Sequence, residues 1–141
     1  MIRLANKYDT NKIIELLKNF AEQQTSSLAK HPETWSRDHV EFILNNIMAG
    51  AGFVLIDEEQ TGILVAIKSQ YLWNKNIIQL QEVMLCGNNK IVIARLIKEY
   101  IKIAKEMLEK NQVHQAVLAS YIDLDYERFG LKKLETNWEI I

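Results

Sequence analysis

Near its end the chain reads Ser120-Tyr-Ile-Asp-Leu-Asp-Tyr-Glu-Arg-Phe-Gly-Leu-Lys-Lys-Leu-Glu-Thr136, and this stretch decides the fold. Its polar first half predicts a loop that leads into a short helix from Asp123 to Phe129. Gly130 then ends the helix in the left-handed cap that glycine favours, and a strand begins at Leu131. Because Tyr126 lies four residues before Gly130, one helical turn places its hydroxyl near the helix end.

Apolar spacing predicts the other elements. The predicted strands are Ile2 to Ala5, Phe53 to Asp57, Ile63 to Gln70, Ile77 to Leu85, Ala116 to Ser120 and Glu135 to Ile141. The predicted longer helices are one capped by Asp9 or Thr10, one capped by Ser36, and one from Asn89 to Lys110. Alternation along the third long strand places Ile78, Leu80, Glu82 and Met84 on one face, and Ile77, Gln79, Gln81, Val83 and Leu85 on the other. The order is β-α-α-β-β-β-α-β-α-β, which is an α+β arrangement.

This order, with the spacing of Tyr126 and Gly130, resembles the GNAT acetyltransferase family, whose C-terminal motif reads Tyr-x-x-x-Gly-Phe. Leu131 stands here in place of the Phe. The resemblance covers the whole chain and implies one GNAT domain over residues 1–141, with a mixed central β-sheet flanked by helices. His31-Pro-Glu-Thr-Trp35, Gly52-Phe-Val-Leu and Leu72-Trp-Asn74 are also similar to segments of small GNAT-like proteins of bacteriophages and their hosts.

The resemblance implies an acetyl-CoA-dependent N-acetyltransferase, with acetyl-CoA as co-substrate and a primary amine of unknown identity as acceptor. The tyrosine of the motif, here Tyr126, would protonate the departing thiolate. Its alternative is a partly buried tyrosine with a wet hydroxyl, and Tyr121 is the substitute if the short helix lies elsewhere. Acetyl-CoA would lie where the strands Ile77 to Leu85 and Ala116 to Ser120 separate.

A strand–loop–helix junction, Leu85-Cys-Gly-Asn-Asn-Lys-Ile-Val-Ile-Ala-Arg-Leu96, stands where the family binds the pyrophosphate of CoA. A helix N-terminus offers unpaired N–H groups and a favourable dipole to an anion. The family pattern is Gln or Arg-x-x-Gly-x-Gly or Ala, and it falls on Asn89, Val92 and Ala94, of which only Ala94 matches. The implied cofactor-binding residues are Met84, Leu85, Cys86, Asn88, Asn89, Lys90, Val92 and Ala94. The alternative is a plain strand-to-helix turn capped by Asn88 or Asn89.

Glu82 is the expected base for the acceptor amine, on the exposed side of its strand, and the alternative is an ordinary solvent-facing residue. Trp35 and Trp73 fall in regions that border the acceptor pocket in GNAT-like folds, or else they close the edge of the core. Cys86 lacks a partner base nearby, so we expect a packed residue rather than a nucleophile. The three histidines do not form a ligand spacing, and we expect no metal site.

Composition limits the other functions. The formal charge is −1, and the signs are interspersed, which disfavours a nucleic-acid-binding module. The single cysteine, the polar N-terminus and the absence of a long apolar run lead us to expect a cytoplasmic protein without a membrane partner. A homodimer is left open. The rival to the enzyme is a catalytically degenerate GNAT-like binding or structural protein, which the glycine-poor junction favours and the Tyr126 motif disfavours.

Overall fold

The computed structural model describes residues 1–22, 31–119, 124–136 and 138–140. In these residues five strands form one sheet in chain order: β1 Ile2–Leu4, β2 Gly52–Asp57, β3 Gly62–Tyr71, β4 Asn74–Gly87 and β5 Gln115–Val117. The α-helices are α1 Thr10–Glu22, α2 Arg37–Asn46 and α3 Lys90–Glu109, and a 3₁₀ helix covers Tyr126–Phe129. Strands β1 to β4 pair antiparallel, and β5 pairs parallel to β4. The predicted mixed sheet with flanking helices is confirmed.

Each face of the sheet carries an apolar layer. On one face α3 packs through its buried stripe, which includes Leu96 and Ile97, against Leu64, Leu80 and Leu85. On the other face α1 and α2 pack against Ile56, Ile63 and Val65 through Ile13, Leu17 and Leu44. Each such buried side chain stabilises the fold by about 1.5–3 kcal/mol. Among the described residues, none of the helices combines the length and the apolar composition that a membrane crossing requires.

The helix starts are set by polar side chains. Ser36 caps α2 as predicted, since its hydroxyl accepts the N–H of His39 at 3.3 Å. The start of α1 differs from the prediction, because a 3₁₀ turn at Lys7–Asp9, capped by Asn6, precedes the helix. Asp9 is buried there and pairs with the Arg3 guanidinium at 2.8 Å, a contact that lowers the pKa of Asp9 to about 2.

A β-bulge interrupts the pairing of β3 and β4. Val65 lies opposite Met84 and the next residue, Ala66, lies opposite Glu82, so Val83 is an extra residue in β4. Beyond a bulge the alternation of faces is reversed. The predicted faces of this strand are therefore wrong after Val83: Leu85 joins Leu80 in the α3-side core, and Met84 packs on the α1/α2 side.

The C-terminal prediction is corrected in three places. The short helix covers only Tyr126–Phe129, and residues 131–136 and 138–140 form no strand, against the expected strand from Glu135 to Ile141. β5 is also shorter than predicted and ends at Val117. Ser120, Tyr121, Asp123, Asn137 and Ile141 were part of these predictions and lie outside the described residues.

Candidate active site

Strands β4 and β5 pair only at their start. The register joins Gln79 to Gln115, Leu80 to Ala116 and Gln81 to Val117. β5 then ends, whereas β4 continues to Gly87. Within the described residues, β4 residues 82–87 therefore have no strand partner on this side. We call the region between these residues and Leu118–Ala119 the β4–β5 gap, and it confirms the predicted divergence of the two strands.

His114 holds the paired end of the two strands together. Its backbone N–H donates to the Ile78 carbonyl at 2.8 Å, and its ring Nδ1 accepts the Ile78 N–H at 3.0 Å. The side chains of Gln79 and Gln115 are hydrogen-bonded beside it. The sequence analysis did not find this role, because no local pattern links His114 to a strand 36 residues earlier.

Glu82 lies beside the gap and is buried, with a relative exposure of 2%. Its Oε2 accepts the backbone N–H of Ala119 at 3.1 Å. Burial disfavours the charged carboxylate and raises the pKa of Glu82 to about 8. The predicted exposed position is wrong, since the side chain projects from the same face as Leu80, toward α3. Any proton transfer from an acceptor to this carboxylate would pass through water or a rearranged side chain.

Tyr100 of α3 also lies beside the β4–β5 gap, on the face of the sheet that α3 covers. Its hydroxyl donates to the Val117 carbonyl at 2.6 Å and lies 3.5 Å from the Leu80 carbonyl. The side chain is buried, and burial, followed by the nearby Glu82 carboxylate, raises the pKa of Tyr100. The sequence analysis missed Tyr100, although a tyrosine one step from the apolar stripe of a long helix was the available signal.

The N-terminus of α3 follows the end of β4 directly. Asn89 caps it, since Oδ1 of Asn89 accepts the Val92 N–H at 3.0 Å, and the Asn88 N–H donates to the Thr61 carbonyl at 3.1 Å. The N–H groups of Lys90 and Ile91 belong to the first turn and lie outside the intrahelical ladder. The junction therefore has the capped strand-to-helix turn that the sequence analysis gave as the alternative to a pyrophosphate site. It also presents the exposed Lys90 at the helix start, where an anion would bind.

Val92 occupies the position of the first family glycine, and its side chain packs against the end of the sheet. A Cβ built on Gly62 would lie 2.6 Å from Cγ1 of Val92, and one built on Gly87 would lie 3.4 Å from it. The two glycines thus leave room for the branched side chain. Ala94, which matches the family pattern, follows two residues later and is half-buried in α3.

Replacing Gly62 with alanine tests this packing. The added methyl group would overlap Cγ1 of Val92, so we expect the free energy of unfolding to fall by about 1–3 kcal/mol. Adding Val92→Ala should restore part of the loss because it removes the overlapping group. Urea unfolding curves of the single and double variants measure both effects, and an unchanged midpoint in Gly62→Ala would contradict the packing.

Three of the implied cofactor-binding residues lie on the part of β4 that has no described strand partner on the β5 side. Met84, Leu85 and Cys86 pair with β3 on one side, opposite Val65, Leu64 and Ile63. Leu85 is buried, and Met84 and Cys86 pack against the α1/α2-side core. Burial raises the pKa of the Cys86 thiol to about 11, which keeps the thiol protonated and agrees with a packed residue.

Tyr126 begins the 3₁₀ helix that precedes Gly130. Gly130 has φ 80°, the predicted left-handed conformation, and its N–H donates to the Glu127 carbonyl at 2.9 Å. The Leu131 N–H donates to the Tyr126 carbonyl at 3.3 Å. Tyr126 is half-buried and packs against the α3-side core, which also contains Leu80 and Leu85. The structure thus places Tyr126 on the same side of the sheet as Glu82.

The two tryptophans lie in different surroundings. Trp35 is half-buried and packs against the α1/α2-side core, as the core-edge alternative requires. Trp73 stands in the turn between β3 and β4 and is 78% exposed. The structure therefore does not bring these two residues together with Glu82 or Tyr126.

Solved structures with the same architecture include several acetyltransferases. An acetyltransferase of Trypanosoma brucei superposes with a TM-score of 0.65 at 13% identity, covering 99% of this chain and 97% of that one. The glucosamine-6-phosphate N-acetyltransferase of Arabidopsis thaliana gives a TM-score of 0.65 at 12% identity, covering 100% and 97%. A predicted acetyltransferase of Clostridium acetobutylicum, solved with acetyl-CoA, gives 0.67 at 12% identity, covering 99% and 94%.

This chain has the GNAT acetyltransferase fold. No protein-family model matches its sequence, and no curated protein is significantly similar to it. At 12–13% identity the GNAT likeness is one of fold, and the superposition extends over nearly the full length of both chains. The element order, together with the motif around Tyr126 and Gly130, therefore predicted the GNAT architecture correctly.

Proposed function

We propose that this chain is an acetyl-CoA-dependent N-acetyltransferase that moves an acetyl group directly to a primary amine. The observation that carries the proposal is the β4–β5 gap, which opens beside the capped start of α3 on a fold shared with acetyltransferases. The proposal includes a single domain over residues 1–141 that works in the cytoplasm, with acetyl-CoA and the amine as partners.

The unpaired side of β4 fits an extended ligand that carries amide groups. A free strand edge offers alternating N–H and C=O groups, and such an edge is readily extended by another chain. In the proposal, the backbone of residues 84–86 binds the pantetheine arm. Asn88, Asn89 and Lys90 face the pyrophosphate at the start of α3, where the helix dipole favours negative charge. When bound, acetyl-CoA supplies the activated thioester.

Two proton transfers remain for the side chains. The Tyr126 hydroxyl donates a proton to the thiolate sulfur as it leaves, and the phenolate that results takes up the proton that the acetylated nitrogen loses as it becomes the amide. The acceptor must lose a proton before its nitrogen can attack, and the base is water or Glu82 acting through water. A carboxyl with a pKa near 8 is charged in only a minor fraction of molecules at pH 7, so few molecules hold Glu82 in its base form there.

Replacing Lys90 with glutamate is expected to weaken acetyl-CoA binding about fivefold or more. The change removes an attraction of roughly 1 kcal/mol for the pyrophosphate and adds repulsion. Lys105→Glu is the matched control, because Lys105 is an exposed lysine of the same helix, four turns further on. Isothermal titration at low salt measures both. If the two variants bind acetyl-CoA with equal affinity, Lys90 does not contribute to binding the pyrophosphate.

The alternative is a degenerate GNAT-like binding protein, and one observation favours it. The Val92 N–H already donates to the side chain of Asn89. The start of α3 therefore has one backbone donor fewer for a phosphate than an uncapped helix would have. A transfer assay separates the two functions. The enzyme releases free thiol from acetyl-CoA when a panel of primary amines is added, whereas a binding protein gives the same rate as buffer with every amine.

A further inference from the structure

Two buried polar side chains end the pairing of β4 with β5. The last register pair is Gln81 with Val117, and a continued ladder would use the backbone groups that follow. The Val117 carbonyl accepts the Tyr100 hydroxyl at 2.6 Å, and two residues later, beyond the last pair, the Ala119 N–H donates to Glu82 Oε2 at 3.1 Å. Tyr100 comes from α3 and Glu82 from β4, and both contact the backbone of residues 117–119, where the chain leaves β5.

A backbone group that leaves a ladder must find another partner or lose about 1–3 kcal/mol of stability. Tyr100 supplies a donor to the Val117 carbonyl and Glu82 supplies an acceptor to the Ala119 N–H, so a buried side chain binds the backbone at each of these two positions. The chain can then leave the sheet in one defined direction. The other end of the pair is fixed differently, by the two backbone and ring contacts of His114 with Ile78.

We propose that Tyr100 and Glu82 are positioning residues that build the β4–β5 gap by binding the Val117 carbonyl and the Ala119 N–H. Neither residue needs to touch the reacting atoms for this role. Each fixes the backbone at the mouth of the gap and leaves the edge of β4 beyond Gln81 open. The consequence for ligand binding rests on the proposed function, whereas the consequence for the backbone does not.

The experiment compares Tyr100→Phe, Glu82→Met and Glu82→Gln with the wild type. Phenylalanine removes only the hydroxyl. Methionine and glutamine are similar in size, but only glutamine keeps an oxygen that can accept the Ala119 N–H. Tyr8→Phe is the matched control, since Tyr8 is 84% exposed and lies on the other side of the fold from the gap. Two readouts are taken: amide exchange of Leu118 and Ala119 by NMR, with β2 amides as reference, and the Kd for acetyl-CoA.

We expect Glu82→Met to speed exchange of the Ala119 amide about fivefold or more, which is the loss of one hydrogen bond, and to weaken acetyl-CoA binding by a similar factor. Tyr100→Phe should do the same with the Leu118 amide as reporter, since this N–H shares its peptide group with the Val117 carbonyl. Glu82→Gln should stay within twofold of the wild type in both readouts. The β2 reference amides should not change, which separates a local effect from general destabilisation.

The proposal is overturned if Glu82→Met and Glu82→Gln behave alike, or if Tyr100→Phe matches Tyr8→Phe in amide exchange. If the wild type does not bind acetyl-CoA at all, the proposed function fails. The exchange rates of Leu118 and Ala119 then decide the positioning role by themselves.

Discussion

Replacing Tyr126 with phenylalanine is expected to slow acetyl transfer about 10²-fold or more, the usual scale for losing a general acid. The substitution removes only the hydroxyl and keeps the ring that packs against the α3-side core. The affinity for acetyl-CoA should therefore change little. The turnover number at saturating acetyl-CoA and amine measures the effect, and thiol release by slow hydrolysis serves if no acceptor has been found.

Tyr8→Phe is the control for this substitution as well, because the Tyr8 side chain is 84% exposed. Thermal unfolding of Tyr126→Phe checks that the 3₁₀ helix and its Gly130 cap are retained. An unchanged turnover number in the Tyr126 variant would exclude its hydroxyl from the mechanism, whatever the affinity for acetyl-CoA.

Replacing Glu82 with glutamine is expected to change how stability depends on pH. The folded-state pKa of Glu82, about 8, lies above the ordinary value of 4.5, so the folded protein holds this proton more tightly than the unfolded chain does. The free energy of unfolding of the wild type should therefore fall as the pH rises from about 4.5 to about 8. Each pKa unit corresponds to about 1.4 kcal/mol, so the rise from 4.5 to about 8 corresponds to a total loss on the order of 5 kcal/mol.

Glutamine carries no such proton, so this part of the loss should be absent in Glu82→Gln. Urea unfolding at pH 5 and pH 8 gives the difference between the variant and the wild type, in which the other titrating groups cancel. Tyr100 is the ionisable side chain that interacts with Glu82 in the described structure, and its hydroxyl stays protonated across this range. A difference that is the same at both pH values would show that Glu82 is not buried as described.

Local sequence signals predicted the caps of α2 and α3 and the left-handed conformation of Gly130 correctly, whereas they misplaced the start of α1. Ser36 and Asn89 accept N–H groups of their own first turns, and Gly130 takes its positive φ within a four-residue turn. These interactions lie within a few residues, where spacing alone is informative. The order of elements as far as β5 followed from the same kind of pattern, and this order together with the spacing of Tyr126 and Gly130 indicated the GNAT fold.

The placement of Glu82 depends on more than local pattern. The strand alternates in sequence, so nothing in it marks Val83 as the bulge that reverses the faces of Met84 and Leu85. The alternation did group Glu82 with Leu80, and that grouping is correct. The error was to treat the face of Leu80 as exposed at Glu82, where the chain leaving β5 covers the carboxylate. Such burial depends on contacts between residues 37 positions apart.

The C-terminal strand shows the other limit. Glu135 to Ile141 was predicted as a strand, and the apolar side chains in and beside this segment are Leu134, Trp138 and Ile140. In the structure these side chains are 63%, 81% and 97% exposed, and the described residues around them form no ladder. A strand needs a paired neighbour to be stable, and alternation in one segment does not specify that neighbour.

A thermal-shift titration with acetyl-CoA tests the central claim most directly, because it needs no acceptor amine. We expect saturable stabilisation, reaching about 2.7 kcal/mol when the ligand stands at 100 times its Kd, and a similar response to CoA. The Lys90→Glu variant should require more ligand for the same shift, and Lys105→Glu should not. A wild-type protein whose unfolding temperature does not respond to acetyl-CoA at any concentration up to millimolar would contradict the proposed site.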